Sequence, residues 1–237
     1  MYDGLNVLCI IPARAGSRAI VGKNMRPLAG KPLIAYSFQH ALDCPEIDRT
    51  IVSTDSDAVA ALAVDMGLDV PFKRPAALAR DRVSTIDVLL HVMDYVEREE
   101  GKRYDILVLM HATAPLTSSE DVSACIKMLA DSHAGSVFSV ADTQRNPYFN
   151  MVEVAADGTV SLCKKGAFAT RQEAPAVFEL NSAVYAWRWE SLKEHKAVIR
   201  PDSRVYVMPK ERSVDIDDEL DLQFAESILA SIPPIRG

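Results

Sequence analysis

Between Asn6 and Val140 short apolar runs alternate with segments of helical spacing, and no other feature constrains the fold as much. Asn6–Pro12 (NVLCIIP), Arg49–Thr54, Leu68–Phe72, Asp105–Met110 and Ser136–Val140 read as strands. Pro32–Leu42, Asp57–Met66, Ser84–Glu99 and Ser119–Ala130 read as the intervening helices, the second stopping near Gly67. Strands this uniformly apolar are buried on both faces, which requires helices on each side of a mostly parallel sheet. The expected fold is α/β, a doubly wound, mostly parallel sheet. In such folds ligands bind in the crevice outside the carboxyl ends of the strands, so the chemistry is sought just after each strand.

From Gln144 the pattern changes. Asn146–Val154 and Thr159–Cys163 flank Asp157-Gly158, a strong hairpin signal. Lys164–Pro175 is polar, and Phe178–Trp187 reads as a further strand. These features predict three parts: a core over residues 1–143, an inserted antiparallel arm over 144–187, and a return to the core over 188–237. The last part holds a strand at Arg204–Met208 and a helix at Asp217–Ser231, apolar at Leu220, Phe224, Ile228 and Leu229. Phe149, Val152, Phe178 and Trp187 are too apolar for a thin arm and point to a partner surface.

Composition narrows the function. The net charge of −7 argues against nucleic acid, whose phosphates need a basic face. No apolar run reaches the ~20 residues that span a bilayer. The N-terminus shows no signal-peptide pattern, and Cys9, Cys44, Cys125 and Cys163 form no CxxC pair. Reduced, mostly buried thiols in a cytoplasmic protein are expected.

The first strand is followed by Arg14, Gly16, Ser17, Arg18, Gly22, Lys23 and Asn24. Glycines let backbone N–H groups approach phosphate, and the cations neutralise its charge. The spacing is not that of a Walker A loop, and Asn24 stands where that loop needs a hydroxyl. Near the other end, Asp215 and Asp217 are two residues apart in an extended segment, so their carboxylates share a face and suit magnesium. Alternatively Asp217 caps the final helix. His111, after the strand ending at Met110, can serve a ligand, shuttle a proton or be a structural histidine. Lys31, Arg80 and Arg82 have weaker claims and also read as surface charge.

The loop sequence IPARAGSRAIVGKNMRPLAGKPLIAYS resembles the N-terminal motif of the acylneuraminate (sialic acid) cytidylyltransferases. The resemblance continues through IVSTDSD at Ile51, KRPAALARDRVST at Lys73, LMHATAPLTSSED at Leu109 and SVDIDDELDLQFAE at Ser213. It implies a Rossmann-like nucleotidyltransferase that joins CTP to a nine-carbon keto-sugar acid, giving a CMP-sugar and pyrophosphate. The sialic acid branch usually has Gln-Pro-Thr-Ser-Pro-Leu where this chain has His111 to Leu116. It usually has Arg-Pro-Asn-Gly where this chain has Glu179-Leu180-Asn181-Ser182. NPYFNMVEV and TRQEAPAVFELNSAVY look instead like the legionaminic acid branch, whose sugar carries two acylamino groups.

By this resemblance Arg14 and Lys23 contact the triphosphate, with Gly16 and Ser17 beside them and Asn24 positioning the nucleotide. Arg74 and Thr85 lie in a loop covering the cytidine. Asp215 and Asp217 hold Mg2+, and Arg14, Lys23 and Asp217 form the catalytic set. Arg171, Gln172, Glu179, Asn181 and Tyr185 lie on the sugar side. Arg171 is the natural bidentate partner for a sugar carboxylate, and Glu179 either accepts from an acylamino N–H or lies exposed. The family uses its arm to form a homodimer and complete the neighbour's sugar site. The competing expectations are a 3-deoxy-manno-octulosonate cytidylyltransferase and an inactive nucleotide-binding relative. Retention of Arg14, Lys23, Asp215 and Asp217 speaks against the second.

Overall fold

The computed structural model describes residues 2–16 and 20–231. The elements run β1 (Val7–Ala13), β2 (Pro27–Leu28), β3 (Lys31–Pro32), α1 (Leu33–Leu42), β4 (Arg49–Thr54), α2 (Asp57–Asp65), α3 (Thr85–Glu99), β5 (Ile106–Met110), α4 (Ser119–Ala130) and β6 (Ser136–Asp142). They continue with β7 (Val152–Val154), β8 (Val160–Leu162), β9 (Phe178–Arg188), α5 (Trp189–His195), β10 (Arg204–Met208) and α6 (Glu219–Ser231). The central six-stranded sheet has the order β10-β6-β9-β5-β1-β4. β1 pairs parallel with β4 and β5, and β10 parallel with β6, while β9 runs antiparallel between β5 and β6. The expected α/β, mostly parallel architecture is what the chain forms.

Alternation along β1 builds the two faces. Val7, Cys9 and Ile11 pack with Ile34 and Phe38 of α1, Val59 of α2 and Ile126 of α4. Leu8 and Ile10 point the other way, toward Leu89, Met93 and Val96 of α3 and Trp189 of α5. Successive strand residues face opposite sides, so one apolar run feeds two cores. A smaller cluster joins Leu222 and Ala225 of α6 to Leu28, Leu33, Val214 and Ile216. α6 is thereby fixed beside the first loop.

Four readings from sequence change. Leu68–Phe72 forms no full strand; its backbone pairing with β4 is limited to the isolated bridges Ile51–Asp69 and, just beyond the segment, Thr54–Lys73. Pro71 has no N–H to offer a ladder between them. The antiparallel insertion is narrower than 144–187, because Phe178–Arg188 lies in the middle of the main sheet. Trp187, read as partner surface, is consequently core, whereas Phe149, Val152 and Phe178 are exposed. Arg188 leads directly into α5, a helix the spacing did not indicate.

The fourth change concerns the final helix, which starts at Glu219 rather than Asp217. Asp218 Oδ1 accepts from the N–H groups of Leu220 (2.8 Å) and Asp221 (3.1 Å), and Asp221 Oδ2 accepts from the Asp218 N–H (2.9 Å). That reciprocal pair is a capping box with Asp218 as the cap. Asp217 is not needed to start the helix.

The hairpin at Asp157-Gly158 forms as expected, pairing Val152 with Leu162 and Val154 with Val160. Gly158 has φ +84, the left-handed conformation a tight turn needs. The cysteines among the described residues are free, and Cys9, Cys44 and Cys125 are buried. Among the described residues no helix is long and apolar enough to cross a membrane.

Candidate functional site

A cleft of about 240 Å³ opens at the carboxyl ends of β1 and β5. α1 leaves β1 toward one face of the sheet and α3 enters β5 from the other, so the cleft sits where the winding reverses. It is lined by Arg14, Gly16, Lys23, Asn24, Arg74, Arg80, Thr85 and His111, among others. Blocks far apart in sequence are thus brought to one surface, and nearly all the nucleotide-side candidates are among them. Ser17 lies outside the described residues. Arg82 and Lys31 are not in the cleft; Lys31 lines a separate, mostly apolar groove.

The first loop is held from several directions. Asp55 Oδ1 accepts from the Ala15 N–H at 2.8 Å, and Asn24 Nδ2 donates to the Arg14 carbonyl at 3.0 Å. The Asn24 amide therefore shapes the loop around Arg14. Arg14 in turn pairs with Asp81, across the cleft mouth. Gly22 has φ +65 and opens the one-turn 3-10 helix Lys23–Met25. That left-handed backbone puts Lys23 at the start of the turn.

Lys23 joins the two ends of the chain. Its ammonium donates to the Ile216 carbonyl at 2.5 Å and to Asp217 Oδ1 at 3.3 Å. The Lys23 side chain is only 14% exposed, the Asp217 side chain 80%. Arg26 adds a second tie, to Glu219 at 3.1 Å.

Arg74 forms the cleft floor, with 5% of its surface exposed. It donates from Nε to Ser53 Oγ at 3.1 Å and from Nη2 to the Ser53 carbonyl. Burial lowers its pKa to about 10, with Asp55 opposing and Arg14 adding to the shift. A buried guanidinium whose hydrogen bonds go to the neutral Ser53, with the Asp55 carboxylate near it, favours an electron-rich ligand. Thr85 begins α3, whose cap Ser84 accepts from the Ile86 N–H at 3.2 Å.

His111 stacks edge-on against Tyr185, ring centroids 5.3 Å apart, and its Nε2 is buried without a partner. Burial lowers its pKa to about 4. A neutral imidazole near pH 7 suits hydrogen bonding to a ligand better than shuttling a proton.

A second cleft, about 620 Å³, lies beyond Lys23 and is lined by Thr143, Arg145, Glu179, Asn181, Lys210, Asp215 and Asp217, among others. Of the sugar-side candidates it gathers Glu179 and Asn181 but not Arg171, Gln172 or Tyr185. Arg171 is exposed and donates to the Thr143 carbonyl at the rim. Gln172 is exposed. Tyr185 is buried among Phe138 and Trp187. The cleft's own cations are Arg145 and Lys210, which the sequence did not single out. Only their position after β6 and β10 could have marked them.

Asp215 and Asp217 stand at the junction of the clefts. Asp215 Oδ1 is buried without a partner. Burial raises the Asp215 pKa; Thr113 opposes this, and the charge on Asp217 adds to it. An orphaned carboxylate oxygen beside a second, exposed carboxylate is a donor set that fits magnesium, which takes one or two carboxylates and completes its shell with phosphate and water. Thr113 supports the arrangement, its carbonyl accepting from the Ile216 N–H at 2.8 Å. The loop's other anchor is Arg212, paired at 2.8 Å with Asp121, which is fully buried at the start of α4.

Comparison with known proteins gives a consistent picture. Residues 8–223 match the family model described as cytidylyltransferase. The chain is 32% identical over 223 residues to the post-translational flagellin modification protein B of Campylobacter coli, covering 94% of each chain. It is 33% identical over 224 residues to the CMP-N,N'-diacetyllegionaminic acid synthase of Campylobacter jejuni, covering 94% of this chain and 95% of that one. Its fold is like that of a solved CMP:2-keto-3-deoxy-manno-octonic acid synthetase, with a TM-score of 0.70 at 18% identity, over 95% of this chain and 98% of that one.

Proposed function

The chain belongs to the cytidylyltransferase family, whose nucleotidyltransferase chemistry makes CMP-activated sugar acids, and we propose that its own sugar is a diacylamino nonulosonic acid of the legionaminic type. The observation that carries the reading is the Lys23–Asp217 pair, which sits where a cation-lined cleft meets a larger polar one. CTP occupies the first cleft and the sugar acid the second. The anomeric hydroxyl oxygen attacks the α-phosphorus and gives up its proton to solvent, the bond from the α-phosphorus to the oxygen bridging to the β-phosphate breaks, and pyrophosphate leaves with that oxygen.

Catalysis of such a transfer is mostly positioning and charge stabilisation. Arg14 and Lys23 hold the triphosphate, and Arg74 and Thr85 face the nucleoside. Asp215 and Asp217 hold magnesium, which supplies charge neutralisation at the phosphate oxygens when bound. Arg145 or Lys210 replaces Arg171 as the partner of the sugar carboxylate, because both line the second cleft.

The choice of sugar rests on Glu179. It lines the second cleft where the sialic acid branch usually has arginine, and a carboxylate accepts from an acylamino N–H. Glu179 is exposed in the open cleft, so an unmatched carboxylate stays hydrated and costs less than a buried one, and competition kinetics with CTP should show the diacetylamino sugar ahead of N-acetylneuraminate by about tenfold in kcat/KM. Glu179→Ala should narrow that gap. Equal or reversed specificity constants in the wild type overturn the sugar assignment and leave the cytidylyl transfer standing.

The enzyme works as a homodimer through its arm. Val152, Val154, Val160 and Leu162 are all exposed on a two-stranded hairpin too thin to cover them. Sedimentation velocity should show a dimer at micromolar concentration and a monomer for the double variant Val152→Asp/Leu162→Asp. A monomeric wild type rules the arrangement out.

A further inference from the structure

Between β10 and α6 the chain runs through residues 209–218, which hold one turn of 3-10 helix (Lys210–Arg212) and are otherwise irregular. This loop carries both Asp215 and Asp217. A loop with no ladder of its own takes its shape from what it is tied to. Its second half is tied at Ile216, whose N–H donates to the Thr113 carbonyl at 2.8 Å and whose carbonyl accepts from Lys23 Nζ at 2.5 Å. Ahead of Asp215, Ser213 Oγ accepts from Asn181 Nδ2 at 3.0 Å and donates to the Pro209 carbonyl at 2.8 Å.

The charged tie of the first half is Arg212. Its Nε donates to Asp121 Oδ2 and its Nη2 to Asp121 Oδ1, both at 2.8 Å. Two parallel bonds between planar groups fix an angle as well as a distance. Asp121 is fully buried and is itself held fast. Its Oδ2 accepts from the N–H (2.9 Å) and the hydroxyl (3.0 Å) of Ser118 in the capping box of α4, and its Oδ1 accepts from the Tyr206 hydroxyl of β10 at 3.1 Å. α4 is packed into the core through Val122, Cys125, Ile126 and Leu129. The fork therefore fixes a residue three positions before Asp215 to a point of the core.

Stability alone is a poor account of this pair. Taking charges out of water is costly, and well-packed apolar side chains of similar size often hold a fold as firmly. What apolar side chains lack is direction. We propose that Arg212, through its fork on Asp121, is a positioning residue for the loop that presents Asp215 and Asp217. The proposal rests on those two carboxylates being metal ligands. A pair that only stabilised the fold would change the melting temperature, whereas a positioning pair changes the affinity for the ion in protein that stays folded.

The test uses Mn2+ as a spin probe, titrated by electron paramagnetic resonance into the full chain with CTP and no sugar. Arg212→Lys keeps a charge opposite Asp121 but replaces the fork with a single ammonium. It should melt within a few degrees of wild type and bind Mn2+ about 3- to 10-fold more weakly. The double variant Asp121→Asn/Arg212→Met removes both charges and keeps an amide oxygen for Ser118. It should stay folded with at least the same loss of affinity, and it serves if Arg212→Lys folds poorly. Asp215→Asn, run in parallel, should lose most of the Mn2+ signal change. Wild-type affinity in the folded Arg212 variants, with Asp215→Asn defective, overturns the positioning role alone. So does a loss of affinity confined to variants that circular dichroism shows to be unfolded, since the fork then serves stability only. Wild-type affinity in Asp215→Asn overturns the metal reading and the positioning role together.

Discussion

Lys23→Ala should lower kcat/KM for CTP by ~10²- to 10³-fold, the usual cost of removing one preorganised donor to developing charge. The residue has two jobs that share one ammonium. It supplies positive charge to the triphosphate cleft, and it holds the Ile216 carbonyl (2.5 Å) and Asp217 (3.3 Å). With 14% of the side chain exposed, water replaces these bonds poorly. Lys23→Arg should rescue only part of the loss, since a planar fork cannot occupy the place of a compact ammonium. Steady-state kinetics with pyrophosphate release decides the matter. A folded Lys23→Ala enzyme within tenfold of wild type would falsify the central role given to this residue.

How much of this site can be read from the sequence depends on range. The strands β1, β4, β5 and β10 follow from local apolar pattern, because each stays buried or edge-paired along its own length. β9 is legible as a strand but not in its place. Its first residues are exposed and its later ones buried, and nothing local says that it returns antiparallel between β5 and β6. The contact of Lys23 with Asp217 spans nearly the whole chain, and no local pattern marks it. Asn181 is misleading in the opposite way. A polar residue in a strand next to a cleft reads as a ligand contact, and its saturation by Ser139 and Ser213 is visible only when three separate segments meet. The run Asp215-Ile216-Asp217-Asp218 offers several caps for one helix. Hydrogen bonding selects Asp218, and this leaves Asp217 free for chemistry.

That freedom gives the second large effect. Asp217→Asn should keep the fold and lose ~100-fold or more in turnover at saturating CTP and sugar. The side chain is 80% exposed, so it contributes little packing. Its pair with Lys23 is half in water, and exposed pairs are worth only ~0–1 kcal/mol, so the melting temperature should shift by no more than a few degrees. The helix start is unaffected because Asp218 and Asp221 form the cap. What the amide cannot restore is charge: it keeps one oxygen for a cation but no longer offsets the dication or the Lys23 ammonium beside it. Raising the magnesium concentration should recover part of the lost rate if weakened binding is the cause. A folded Asp217→Asn protein with wild-type turnover across the magnesium titration removes Asp217 from the metal set. Asp215, with its buried orphan oxygen, would then have to hold the ion with the substrate phosphates alone.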